Sequence, residues 1–225
     1  MISELFKQLW SNGTFALAAF ETIYLTFIST VIAYVIGLPL GVLLCVTDEN
    51  GIHPVKWLSK LIGFIVNIFR SIPFIILMVA MLPVAKLIVG TSLGNGAMIV
   101  MLVIAAAPYI ARMVESSIKE VNAGVIEAAQ AMGASSFRII YKVLIPEALP
   151  SLIVGGVIST VTVLSYSAMA ATIGGGGLGA VAIVWGHQRL KGDIVWFCVI
   201  ITVIIVQIIQ EVGMHLAKRI DKRIN

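Results

Sequence analysis

The residues of this chain that could do chemistry are few and lie mostly inside apolar runs. Arg70, followed by Ser71 and Pro73, is a basic residue deep in such a run. Ser159, Thr160, Thr162, Ser165, Tyr166, Ser167 and Thr172 place hydroxyls along another run, with Met169 among them. Such groups can exchange hydrogen bonds with a passing solute or between packed helices, and a thioether offers a soft apolar wall. No paired carboxylates, Ser/His/Asp set or metal-spaced cluster falls in register, and Cys45, Cys198, His53, His187 and His215 are scattered. The glycine run Gly174–Gly179 is no phosphate loop. That motif needs a lysine directly after a glycine to reach the phosphates, and no lysine here follows one. The chain is read as non-enzymatic, with no metal and no cofactor of its own, and any ATP must be hydrolysed on another subunit.

Composition explains the setting of these residues. Hydrophobic residues make up 60%, charged residues 12%, and the mean hydropathy is +1.06. A soluble domain carries about 25% charged residues, so the expected class is an all-α polytopic membrane protein in a lipid bilayer. The net charge of +4 is not gathered into a basic stripe, and nucleic acid is not an expected partner. Neither cysteine has a candidate partner, and no cleavable leader is read at the N-terminus.

Five transmembrane helices are expected: about Thr22 to Val46, Leu61 to Val89, Ala97 to Ala111, Leu152 to Thr172 and Ile194 to Gly213. Gly37, Pro39 and Gly41 suggest a kink in the first. The second is too long for one crossing, so it tilts, breaks at Pro73 or Pro83, or begins below the membrane. Arg70 in that span either faces the interior, a cavity or a partner, or snorkels to the interface. Residues 1–21 form an amphipathic segment expected along the membrane surface, residues 22–213 a transmembrane domain, and residues 214–225 a basic tail. Glu21 and Glu211 are read as solvated, and 174–179 as a tight turn leading into a loop to Asp193. Lys56, Lys60, Arg112, Lys119, Arg138, Lys142, Lys218, Arg219, Lys222 and Arg223 gather on one side; Lys7, Lys86, Arg189 and Lys191 lie on the other. The positive-inside bias then puts the N-terminus outside and the C-terminus in the cytoplasm.

The polar island at 125–150, VIEAAQAMGASSFRIIYKVLIPEALP, falls on the cytoplasmic side. Val125, Ala128, Ala129 and Met132 share a helical face; Gly133 ends that helix. Ser135 and Ser136 can cap a second, with a stripe of Phe137, Ile140, Tyr141 and Leu144 that Pro146 and Pro150 stop.

The order Glu127-Ala128-Ala129, Gly133, Val143, Ile145, Pro146 resembles the EAA signature of ABC importer permeases. Val143 and Ile145 stand for its Ile and Leu. FRSIPFIILMVAMLPVAKLIVGTSLG, AAPYIARMVE and SYSAMAATIGGGGLG narrow the resemblance to the methionine-type permeases of that family. It implies a type I ABC importer transmembrane fold, two copies forming the pore, two ATPase subunits carrying ATP and magnesium, and an extracytoplasmic binding protein that delivers methionine. It also implies that Glu127, Ala128, Ala129, Met132 and Gly133 dock on the ATPase. Arg70, Ser71, Pro73, Tyr166, Ser167 and Met169 are the candidate pathway residues. Another amino acid or small solute is an alternative cargo. A self-sufficient carrier or channel is an alternative machine, but a carrier needs intramembrane carboxylates or an equivalent ion site, and none is read mid-span.

Overall fold

A computed structural model describes residues 3–221; Lys222 and Arg223, assigned to the basic tail, lie outside the described residues. Among the described residues every regular element is helical, as lipid demands of chains that do not close into barrels. Among the described residues, four helices are long and apolar enough to cross a membrane: Thr14–Thr47, Gly94–Lys119, Ser136–Ile173 and Gly192–Ile220. Lys56–Ser71 (α3) and Phe74–Ala80 (α4) make a fifth span if counted together. Of the three outcomes expected there, the helix breaks. Ile72 is extended (φ −85°, ψ 125°) ahead of Pro73, because a residue before proline is pushed out of the helical region.

Several expected boundaries move. An amphipathic helix, α1 (Glu4–Ser11), is followed by α2 (Thr14–Thr47), so the first long helix starts eight residues before Thr22. The next helix, α3, begins at Lys56, five residues before the expected start of the second span at Leu61. A short α5 (Leu82–Val89) precedes α6 (Gly94–Lys119), which passes through Pro108 and carries Arg112 well inside its length. After the hairpin helix α7 (Ala123–Ala131), α8 (Ser136–Ile139) leads into a π-helical turn at Ile140–Leu144 and then α9 (Ile145–Ser167). Pro146 and Pro150 therefore do not stop the helix. The π turn widens the backbone directly before Pro146, where a proline can neither donate an i→i−4 bond nor clear a tight preceding turn. A 3₁₀ stretch, Ala168–Ile173, closes that span. The expected loop to Asp193 holds a short α10 (Leu178–Ala180) and a second π turn, Val181–His187. The last helix, α11 (Gly192–Ile220), continues past Gly213, so no break marks the expected tail.

The chain divides into two compact units, residues 1–32, 73–104 and 160–210 in one and 33–72, 105–159 and 211–225 in the other. In the first, α1 packs its apolar side into protein. Leu9 is buried, and Phe6 and Phe15 meet the Phe197 ring edge-on at 5.0 and 4.7 Å. The Ser3 side chain caps the helix through the Phe6 N–H at 3.2 Å, and the Ser3 N–H donates to Asp193 Oδ2 at 2.7 Å.

In the second unit α2 meets α6 at its glycines. A Cβ on Gly41 would lie 2.5 Å from the Ala111 carbonyl oxygen and 2.6 Å from Val114 Cβ. Gly37 and Gly41 thus let two helices touch, the small-x-x-x-small device of membrane packing. The same unit holds an ion network. Glu115, buried, accepts from Arg112 at 2.6 Å and Lys119 at 2.9 Å; Lys119 also reaches Asp48 at 2.7 Å, and Arg112 reaches Asn67 Oδ1 at 3.1 Å. Two cations around one buried carboxylate leave it no uncompensated charge.

Candidate functional site

Asn122 caps α7, its Oδ1 accepting from the Gly124 N–H at 2.8 Å. The helix ends at Gly133, which has φ +77°, a conformation that suits a residue without Cβ. Gly133 N–H donates to Gln130 O and Ala134 N–H to Ala129 O, the paired bonds of a Schellman cap. Ser135 sits at the next N-cap without a side-chain bond.

This turn sorts the expected ATPase-docking residues into two sets. Ala129 is buried at 4% exposure and faces its own fold, so it belongs to the packing side. Glu127, Ala128, Met132 and Gly133 are exposed. Glu127 also lines a cavity of about 550 Å³ with Cys45, Asp48, Asn50, Lys119 and Gln130. The second helix departs further from expectation. Only part of its stripe buries: Leu144 is buried and Ile140 half-buried, but Phe137 is 77% and Tyr141 60% exposed, while Ile139, outside the stripe, is buried. With Met132 at 81% and Val125 at 41%, these side chains put large apolar groups on the outside of the hairpin.

Of the pathway candidates, Arg70 and Ser71 are exposed at the last turn of α3, and Ser71 Oγ donates to Asn67 O at 2.7 Å. A cation there complements the helix dipole. Pro73, exposed, opens the next segment. Tyr166 lies flat on Phe74, ring centroids 4.6 Å apart and 5° from parallel. Ser167 is buried, and its Oγ donates to Leu164 O at 2.7 Å. Met169 is partly exposed, and Thr172 Oγ1 donates to its carbonyl oxygen at 2.7 Å.

Glu21 corrects another expectation. It is not a solvated group at a span end but stands within α2, held by its own unit. Its Oε1 accepts from Asn95 Nδ2 at 3.1 Å and its Oε2 from Gly177 N–H at 2.8 Å. Asn95 Oδ1 accepts from Gly176 N–H at 2.7 Å, and Thr22 Oγ1 from Leu178 N–H at 2.9 Å. A Cβ on Gly176 would collide with the Glu21 carboxylate. The glycine run is therefore a docked turn. Local spacing gave no sign of it, because its partners lie up to 156 residues away. Glu211 is exposed, as read.

Known proteins share this architecture along nearly the whole chain. A permease protein of Vibrio cholerae, described as a probable D-methionine transport system permease (MetI), is 48% identical over 92% of each chain. The methionine import system permease protein MetP of Bacillus subtilis is 44% identical over 96% of this chain and 95% of its own. Among solved structures, one of inward-facing conformations of the MetNI methionine ABC transporter superposes with a TM-score of 0.92 and 42% identity, covering 98% of this chain and 100% of that one. An amino acid ABC transporter at 17% identity and a TM-score of 0.79 shares the fold. Residues 37–225 match a family described as the binding-protein-dependent transport system inner membrane component. The chain belongs to that family, as a multi-pass inner-membrane permease subunit of an ABC transporter.

Proposed function

We propose that this chain forms the translocation pathway of an ATP-driven methionine importer, as a homodimer carrying one ATPase subunit per copy and fed by an extracytoplasmic substrate-binding protein. ATP and magnesium belong to the ATPase; this chain supplies the path and the coupling surface. The lysine and arginine distribution supports an N-terminus outside and a C-terminus in the cytoplasm.

The observation that carries the coupling role is the hairpin, whose outer side exposes Val125, Met132, Phe137 and Tyr141. Large exposed apolar side chains on one hairpin are a docking signature, and the order of small and apolar residues there matches the importer signature. The methionine assignment is supported by relatives named for methionine across more than nine-tenths of the chain. Met169, three residues after Tyr166 in the chain and partly exposed, offers a polarisable apolar wall suited to a thioether side chain.

The test is reconstitution with the cognate ATPase and binding protein in liposomes, measuring uptake of radiolabelled L-methionine. Saturable uptake that an ATPase-dead partner abolishes is expected. A complex that hydrolyses ATP but moves no methionine would overturn the substrate, and failure to assemble would overturn the coupling role.

A further inference from the structure

The Glu21–Asn95 pair makes a directional relay. A carboxylate only accepts hydrogen bonds, and both Glu21 oxygens are engaged, one by Asn95 Nδ2 and one by Gly177 N–H. That fixes the Asn95 amide, which turns its NH₂ toward Glu21 and its oxygen toward Gly176 N–H. With Thr22 on Leu178 N–H, three successive backbone donors end on side chains from α2 and α6. The turn is tied in the other direction to the 3₁₀ stretch. Gly175 N–H donates to Ala170 O at 2.8 Å, and Gly174 N–H to Ala171 O at 3.3 Å. Met169 lies at the start of that stretch.

We infer that Glu21 and Asn95 are positioning residues for transport, pinning the Gly176–Leu178 backbone and through it the 3₁₀ stretch that presents Met169. The inference rests on the pathway role proposed for Met169. It makes a reciprocal demand on positions 21 and 95, one carboxylate and one amide, in either order. Glu21→Gln sets an NH₂ against a backbone donor or against the Asn95 amide. Asn95→Asp sets two carboxylates face to face. The double variant Glu21→Gln/Asn95→Asp restores every bond, with the carboxylate at 95 and the amide donating from 21.

The readout is the labelling rate, by a maleimide, of a thiol introduced as Met169→Cys in a Cys45→Ala/Cys198→Ala background, with the purified permease in lipid nanodiscs. Each single variant is expected to change that rate about tenfold, the loss of one charge-assisted hydrogen bond. The double variant is expected to return it to within about twofold of the parent. A scaffold role alone lowers thermal stability and leaves the rate in the folded protein unmoved. In proteoliposomes, the single variants raise the KM for L-methionine about tenfold and the double variant restores it. Single variants that label like the parent, or a double variant no better than either, would overturn the inference. Labelling needs no transported solute, so absent methionine uptake by the unaltered complex counts against the methionine assignment alone.

Discussion

Lys119 Nζ lies 2.7 Å from Asp48 Oδ2 and ties the end of α6 to the turn after α2. The Asp48 carboxyl is held below the ordinary carboxylate range, first by this hydrogen bond and then by the Glu49 backbone N–H. A lowered folded-state value means the pair stabilises the protein above the unfolded carboxyl's pKa of about 3.9 and loses that contribution as the pH falls through the lowered value. Asp48→Asn is therefore expected to lower the melting temperature of the purified protein by a constant amount between pH 7 and pH 5. The difference from the parent shrinks below about pH 4. Thermal unfolding in detergent across that range checks it, and a difference that grows toward low pH would contradict the pairing.

The hairpin predicts two opposite outcomes from neighbouring positions. Ala129 is buried and Met132 is not. Ala129→Trp overpacks the fold, at a cost of about 1–3 kcal/mol, and reduces the yield of folded protein before any partner is added. Met132→Ala and Phe137→Ala leave unfolding within about 0.5 kcal/mol of the parent. They are expected to weaken ATPase association by about 1–2 kcal/mol each, as truncated apolar anchors do. Melting curves paired with co-purification of the ATPase separate the two. Equal effects from Ala129→Trp and Met132→Ala would refute the division.

The same residues show what a sequence can carry. The Gly133 turn was legible because glycine at a helix end with φ +77° is a local event, and the short-range order of Glu127, Ala128 and Ala129 carried the family. The Asn122 cap is equally local but lies just outside the polar island at 125–150. Phe137 and Tyr141 announced an apolar stripe; periodicity reports that such a stripe wants cover, not whether the chain or a partner provides it. Pro146 reads as a stop because the π turn before it leaves no compositional mark. Glu21 reads as solvated for a different reason: its partners, Asn95 and Gly177, are distant in sequence, and neither helical periodicity nor charge counting sees across such distances.

Gly41 offers a test of helix packing. Its missing side chain leaves room for the Ala111 carbonyl and Val114, so Gly41→Val forces α2 and α6 apart. The expected cost is about 1–3 kcal/mol, seen as a lower melting temperature and loss of monodisperse protein. Gly96, with nothing near its absent Cβ, is the control: Gly96→Ala is expected to leave both unchanged. Equal tolerance at the two positions would show that the close approach does not limit packing.

Tyr166 and Ser167 are adjacent, yet the structure assigns them different tasks. The Tyr166 ring is stacked on Phe74, and the Ser167 hydroxyl is spent on Leu164 O within its own helix. Ser167→Ala thus removes a local bond worth about 1 kcal/mol of stability and is expected to leave the KM for methionine uptake unchanged within about twofold. Tyr166→Ala removes the stack, worth about 0.5–1.5 kcal/mol beyond its buried area, and is expected to raise the KM about 2–10-fold. Tyr166→Phe keeps the ring and most of the affinity, because the wall and not the hydroxyl is what Phe74 supports. If Ser167→Ala raised the KM as much as Tyr166→Ala, the hydroxyl would have to leave Leu164 during transport, and the pathway would run along the buried side of α9.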